Sequence, residues 1–246
     1  MRRPIFLLIS LLALLILSGC RNNKPAEEQD VMTLPNEEFF DIMKPYLLEG
    51  YQVKMIPKGN SMLPTLHGGV DVVTIKADSN IMVKDVVLAN MGKGHYVMHR
   101  IVEINGDKIT LKGDNNKKVE HTTADRIMAK MVDFKANNDS DGMPEVGMEM
   151  LERSFFRVVT RCRLDAWLDY QIVVDTVAKV LDMRKILSFN ETAMSIWRQL
   201  PQGKFNVKDM VNVVTNEYEV DEQIAQKDCL DLLKAWLVCG LVEPVD

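Results

Sequence analysis

The sequence predicts two folded units, a mainly β unit followed by a small α+β unit. The first prediction depends on a succession of short β-rich runs between Tyr51 and Phe134. The second depends on alternating strands within Gln171–Phe189, which precede three helical patterns. A polar stretch at 135–147, with Gly and Pro, is typical of a linker between the two units.

The composition is that of a globular protein that is long enough to fold unaided. The chain has 246 residues, of which 47% are hydrophobic and 26% charged, and this excludes a multi-span membrane protein, a disordered chain and a fibrous repeat. A net charge of -5 argues against general nucleic-acid binding, so peptides or small molecules are the expected partners. Four cysteines without a CxxC motif or a Cys/His cluster predict no disulfide scaffold, no zinc and no cofactor.

The N-terminus has the layout of a signal peptide. Arg2 and Arg3 precede the apolar run Ile5–Leu17, which is shorter than the ~20 residues that a membrane-spanning helix needs. The run leads through Ser18 and Gly19 into Cys20. This ending resembles a bacterial lipobox.

The lipobox resemblance implies a removed signal peptide at 1–19, a lipid on Cys20 and a tether at 20–35. The protein would then be a lipoprotein at the bacterial membrane, facing the periplasm or the cell exterior. Two alternatives stay open. The apolar run could be an uncleaved short anchor, or translation could begin at Met32, which would place the protein in the cytoplasm.

The N-terminal unit is predicted to begin with a helix and to continue as a twisted sheet or partly closed barrel. Asn36 is a suitable helix cap, and Pro45 is expected to kink the helix or shorten it before Gly50. Asn105-Gly106 is a typical two-residue hairpin turn. Strands are predicted at Val70–Ile75, Val83–Ala89, Tyr96–Ile104, Lys108–Lys112 and Ile127–Phe134.

A second amphipathic helix is predicted after the linker, within 135–170. Its basic stripe is interpreted as a solvated face or as a surface for anionic lipid, and its members are Arg153, Arg157 and Arg161. The opposite stripe is apolar and comprises Leu151, Phe155, Val158, Val159 and Cys162. Three further helices with Asn or Asp caps, the last ending at Gly240, are predicted at Asn190–Leu200, Asn206–Tyr218 and Asp221–Cys239.

A serine, a histidine and an aspartate in the N-terminal unit are candidates for an acyl-transfer site. Ser61 lies in a Gly- and Pro-bounded turn that could expose a nucleophile, although a serine in a turn is more often a turn residue. His99 lies in an alternating strand, and a hairpin at Asn105-Gly106 would bring it near Asp114. These three side-chain types together are the components of a serine hydrolase site.

Three boxes at these residues resemble the signal peptidase I family, which belongs to the same serine peptidase clan as the LexA-type repressors. GNSMLPTL is similar to the nucleophile box, MHRIVEINGD to the general-base box and LKGDNN to the Gly-Asp-Asn box, within about 36–134. The resemblance implies a β-rich serine endopeptidase that cleaves an extended peptide or preprotein. It makes Ser61 the nucleophile, His99 the base and Asp114 the residue that orients the imidazole or stabilises its charge.

The resemblance also implies an oxyanion hole, and two features depart from the family pattern. Backbone N–H groups of Ser61 and Asn60 are the implied oxyanion donors, because Gly59 lacks the hydroxyl that some members place there. Glu120 stands where the endoplasmic-reticulum type has an aspartate. We further expect substrate contacts at Met62 and Pro64, and interpret Lys58 and Lys84, outside the family's lysine box, as structural or electrostatic.

The segment 171–243 resembles the PqqD family, whose small winged-helix-like domain binds the leader of a precursor peptide, usually as an added strand. The matching features are FNETA, Ile196-Trp197, EYEVD, the leucines at 230, 233 and 237, and Gly240-Leu241-Val242. The resemblance implies a peptide-binding domain at 171–246 with an exposed edge strand at Lys185–Phe189. Substrate contacts are therefore expected at Lys185, Ile186 and Leu187.

The sequence as a whole predicts a membrane-tethered serine endopeptidase that removes a leader or signal segment from a peptide held by its C-terminal unit. Two alternatives are a catalytically inactive peptide-binding protein and a LexA-like regulator. The regulator is disfavoured because no DNA-binding segment and no Ala-Gly self-cleavage pair precede the peptidase boxes.

Overall fold

The computed structural model describes residues 36–136, 147–167 and 170–245. The N-terminal unit comprises residues 36–136 and Ala178–Arg184. The C-terminal unit comprises the described residues from Gly147 to Val177 and those from Lys185 onward. No helix within the described ranges is long and apolar enough to cross a membrane. The predicted signal peptide, Cys20 and the tether lie outside these ranges.

The N-terminal unit is mainly β. Its strands are arranged in the order β6-β5-β4-β3-β7-β2-β1, and neighbouring strands are antiparallel. Residues Val180–Asp182 of a later strand, β11, pair with β1 in parallel. The elements are α1 (Asn36–Leu48), β1 (Gln52–Met55), β2 (Val72–Lys76), β3 (Val86–Gly92), β4 (His95–Asn105), β5 (Lys108–Lys112), β6 (Glu120–Thr123), a 3-10 turn (Ala124–Arg126) and β7 (Ile127–Lys135).

The predicted N-terminal helix is confirmed, and it continues three residues beyond Pro45, which therefore does not cut it short. The predicted β4–β5 hairpin is also confirmed, but its turn is Gly106-Asp107, because Asn105 pairs with Lys108. Gly106 has a φ of +56°, as the first turn position of a type II′ hairpin requires. Strands β1 and β6 were not predicted individually.

The C-terminal unit is α+β, as predicted. Its helices enclose a core in which Phe156, Phe205 and Trp236 are fully buried. Its elements are α2 (Met148–Arg153), β8 (Phe155–Val158), β9 (Cys162–Trp167), β10 (Tyr170–Asp175), the end of β11 (Val180–Ser188) from Lys185 onward, α3 (Glu191–Gln199), α4 (Val207–Glu217), α5 (Glu222–Cys239) and β12 (Val242–Val245). Strand β8 pairs with β12, and β10 pairs with β9.

The helix caps of the C-terminal unit are where the sequence predicts them. The side chain of Asn190 accepts a hydrogen bond from the N–H of Ala193, and Asn206 forms a capping box with Asp209. Asp221 caps α5, which ends at Gly240 with a φ of +75°.

The amphipathic helix predicted to extend from Leu151 to Cys162 is wrong. Helix α2 ends at Arg153, and the chain continues as strand β8. In that strand Phe155 is exposed and Phe156 is buried, so the side chains alternate with a period of two instead of forming a helical stripe.

The exposed edge strand expected at Lys185–Phe189 stays a prediction, because the pairing of β11 with β1 covers only Val180–Asp182. Residues Lys185–Ser188 of β11 lie beyond the part of the strand that pairs with β1. The terminal strand of the order β11-β10-β9 is β9. The side chains of Ile186 and Leu187 are buried, so these two residues contribute to packing.

Candidate active site

The loop between β1 and β2 carries Ser61 and is held by apolar anchors. Met62 and Leu66 follow Ser61 in this loop, and both side chains are buried. The N–H of Leu66 donates a hydrogen bond to the carbonyl of Met62. The base of the loop needs glycine, because a Cβ on Gly68 would lie 1.9 Å from the carbonyl oxygen of Gly59. Gly59 itself has a φ of +91°, a conformation that other residues rarely adopt.

Ser61, His99 and Glu120 form a hydrogen-bonded chain. Ser61 Oγ lies 3.0 Å from His99 Nε2, and His99 Nδ1 lies 2.6 Å from Glu120 Oε2. His99 is only 4% exposed, whereas His67, His95 and His121 are exposed. Since a carboxylate can only accept, the bond to Glu120 places the proton of neutral His99 on Nδ1 and leaves Nε2 to accept from the serine hydroxyl.

Strand register explains why Glu120 reaches the histidine. Ile101 of β4 pairs with Leu111 of β5, and Leu111 pairs with Glu120 of β6. Directly paired residues share a face of the sheet, and His99 lies two residues from Ile101 on that same face.

A turn after β5 fixes the backbone of the serine loop. The N–H of Asn115 donates to the carbonyl of Ser61 at 2.8 Å, and the side-chain amide of Asn115 donates to the carbonyl of Asn60 at 3.2 Å. Gly113 is required at this contact, because a Cβ there would lie 2.6 Å from the Ser61 carbonyl oxygen. The Gly-Asp-Asn box therefore supports the serine loop.

The expected contact between Asp114 and His99 does not form. Asp114 instead accepts two hydrogen bonds from Arg100, at 2.8 Å from Nε and 2.6 Å from Nη2, and a third from the Thr65 hydroxyl. The hydrogen bonds from Arg100 lower the pKa of Asp114, and Asp114 raises the pKa of Arg100. Asp114 therefore joins the serine loop to β4, and Glu120 occupies the position beside the imidazole that the sequence analysis gave to Asp114.

Two backbone donors at the serine make no hydrogen bond within the described part of the chain. Among the described residues, the N–H groups of Ser61 and Asn60 have no hydrogen-bond acceptor. These are the two groups that the sequence analysis named as oxyanion donors. Neither Lys58 nor Lys84 makes a hydrogen bond to Ser61 within the described ranges.

A cavity of about 240 Å³ opens beside the Ser61–His99 pair. Met62, predicted to contact substrate, lies in its wall, but Pro64 does not. The lining residues come from the serine loop, from the beginning of β4 and from the segment before β6, and they include Lys58, Gly59, Tyr96, Met98 and Asn116. In the described part of the chain, no group of three or more His, Cys, Asp or Glu side chains could hold a metal ion.

The arrangement contains a hydroxyl, a base that can accept its proton, a carboxylate that orients the base, and free backbone donors next to a cavity. These are the groups that acyl transfer through a serine nucleophile requires. Glu120 could not be assigned from the sequence because the short strand that carries it, β6, was not predicted. Its position six residues after Asp114 was the available signal.

Comparison with known proteins bears on the C-terminal part of the chain. No curated protein and no solved structure is significantly similar to the sequence. A family model, coenzyme PQQ synthesis protein D (PqqD), matches residues 178–242, which include β11 and helices α3 to α5. The chain therefore contains a PqqD-like domain at residues 178–242.

Proposed function

We propose that the protein is a serine endopeptidase of the signal peptidase I type that cuts a leader or signal segment from a peptide or protein. The observation that carries the proposal is a pair of hydrogen bonds beside a cavity of about 240 Å³. Ser61 Oγ lies 3.0 Å from His99 Nε2, and His99 Nδ1 lies 2.6 Å from Glu120 Oε2. The proposal is supported by this geometry and by the resemblance of the nucleophile, general-base and Gly-Asp-Asn boxes to the signal peptidase I family.

In the proposed reaction, Ser61 Oγ attacks the carbonyl carbon of the scissile peptide bond while His99 Nε2 takes the hydroxyl proton. The N–H groups of Ser61 and Asn60 donate to the developing oxyanion. The imidazolium returns its proton to the leaving amine, which releases one product and leaves an acyl ester on Ser61. Water, deprotonated by His99, then hydrolyses the ester and regenerates the hydroxyl.

We assign Glu120 as the positioning residue for the imidazole and Asp114 as a structural residue. The assignment of Glu120 is supported by its 2.6 Å contact with Nδ1, which stabilises the imidazolium when Nε2 is protonated. Asp114 is engaged by Arg100 and Thr65 on the opposite face of β4.

Digestion of a defined mixture of synthetic tetradecapeptides, followed by mass spectrometry, tests the proposed activity without knowledge of the natural substrate. Wild-type protein should cut a subset of peptides, and Ser61→Ala, which removes one oxygen from a half-buried side chain, should cut none while unfolding at the same temperature. Identical cleavage by both proteins would contradict the nucleophile assignment. Absence of cleavage by the folded wild type would favour the alternative of an inactive peptide-binding protein.

We propose that the PqqD-like domain binds the peptide substrate. Its support is the family match at 178–242, because PqqD domains bind the leader of a precursor peptide. Hydrogen exchange of the full Ser61→Ala chain with and without a bound peptide from the same mixture tests it. Protection within 178–242 would support the proposal, and protection confined to the N-terminal unit would refute it.

We also propose that a lipid on Cys20 holds the protein at the membrane. The support is the order of basic residues, apolar run and Ser18-Gly19-Cys20 in the sequence. Intact-mass analysis of the native protein should give a chain that begins at Cys20 and carries the mass of a lipid. A native chain beginning at Met32 without lipid would refute it.

A further inference from the structure

Three lysines belong to the segments that line the cavity beside Ser61, and we call them the basic border. Lys58 lies in the cavity wall, and Lys117 and Lys118 lie between Asn116 and Glu120, which are both lining residues. All three lysines are exposed. None of the three has an ion-pair partner among the described residues.

The acidic side chains at the site have other partners and form no ion pair with these lysines. Glu120 is paired with His99, and Asp114 is paired with Arg100. The chain as a whole has a net charge of -5, so the positive border is a local feature. Unpaired charges of one sign beside a cavity raise the local concentration of ligands with the opposite charge.

We infer that this basic border selects peptides that carry an aspartate or glutamate close to the bond presented to Ser61. The inference rests on the proposed function and adds a substrate class to it. Lys58 precedes Ser61 by three residues, a span of at most about 11 Å, so a carboxylate within about three residues of the scissile bond is within reach of the lysine side chain.

The test uses three fluorophore-labelled alanine decapeptides that differ at two central positions, which hold glutamate, glutamine or lysine. Binding to the full Ser61→Ala chain is measured by fluorescence anisotropy, and cleavage by the wild type is measured in parallel. We expect the glutamate peptide to bind about two- to five-fold more tightly per lysine contact than the glutamine peptide, with the lysine peptide weakest. The preference should decrease with added salt.

Three charge-removing variants identify the surface responsible. Lys58→Gln and the double change Lys117→Gln with Lys118→Gln should each reduce the preference for glutamate. Lys108→Gln is the matched control, because Lys108 is exposed on the same unit at the hairpin end of β5. Equal binding of all three peptides, or an equal effect of the control, would overturn the inference.

Parallel cleavage data separate this inference from the proposed activity. Lysine-dependent binding of the glutamate peptide without cleavage by wild-type protein would support the basic selection surface and overturn the proposed hydrolysis. Cleavage without any charge preference would support the hydrolysis and overturn the selection surface.

Discussion

Replacing Asp114 by asparagine should destabilise the N-terminal unit by disconnecting the serine loop from β4. The carboxylate accepts from Arg100 and from Thr65, which lies four residues after Ser61. Asparagine has one acceptor oxygen and turns an amide donor toward the guanidinium, so at least one of these hydrogen bonds is lost. The change leaves Ser61, His99 and Glu120 chemically intact.

The size of the effect follows from the exposure of the ion pair. The side chains of Arg100 and Asp114 are 28% and 17% exposed, so the pair is intermediate between a surface ion pair and a buried one. Surface pairs contribute at most about 1 kcal/mol, and breaking a buried pair costs about 3–5 kcal/mol, so we expect a loss of about 2 kcal/mol. For a unit of about 100 residues this lowers the melting temperature by about 10 °C.

Differential scanning calorimetry of the full chain measures this loss, and Glu243→Gln is the matched control. Glu243 pairs with Arg157, but that pair is exposed on the C-terminal unit, so its loss should shift melting by at most about 5 °C. Because Arg100 lowers the pKa of Asp114, the stabilisation is complete above the ordinary carboxyl pKa and is lost as the pH falls through the lowered value. A shift for Asp114→Asn no larger than the control's, or one that is unchanged at acidic pH, would refute the reasoning.

Three further predictions address the site and the core. Glu120→Gln should lower kcat of the cleaved peptide about 100-fold with a smaller change in KM, because the amide cannot stabilise an imidazolium; an unchanged kcat would remove Glu120 from the mechanism. Gly113→Ala should destabilise the protein by about 1–3 kcal/mol in urea unfolding, since its Cβ would meet the Ser61 carbonyl, whereas Gly147→Ala, which has open space and changes only the N-cap of α2, should cost less. Burial raises the pKa of Cys229 to about 12, so iodoacetamide at pH 8 should alkylate this thiol only after denaturation, and rapid alkylation of the native protein would contradict its burial.

The misplacement of Asp114 has a simple geometric cause in hairpin register. A turn at Asn105-Gly106 would pair Val97 with Asp114 and so put the aspartate on the face of His99. The structure begins the turn one residue later and contains a bulge between Ile101 and Glu103, so Arg100 pairs with Lys112. A shift of one residue moves every side chain to the other face of a strand, and Asp114 consequently meets Arg100. Bulges have no reliable sequence signal.

The sequence was sufficient where local chemistry determines the structure. The caps of α3, α4 and α5 and the α1 helix depend on contacts within a few residues, and they were predicted. The structure after Leu151 was predicted wrongly. Arginines spaced by four residues fit a helix, but the buried Phe156 belongs to a strand. Glu120 and the pairing of β1 with β11 depend on long-range strand order, which periodicity does not reveal.

The central claim, that Ser61 is a nucleophile activated by His99, is tested most directly by the rate at which a fluorophosphonate modifies Ser61. Intact-mass and peptide mass spectrometry should find one adduct, located on Ser61, because His99 accepts the hydroxyl proton as Oγ attacks. In His99→Gln the rate should fall by about 100-fold or more, because an amide is not a base that can take the hydroxyl proton. Equal labelling rates in the folded wild type and His99→Gln, or no adduct on Ser61, would contradict the claim.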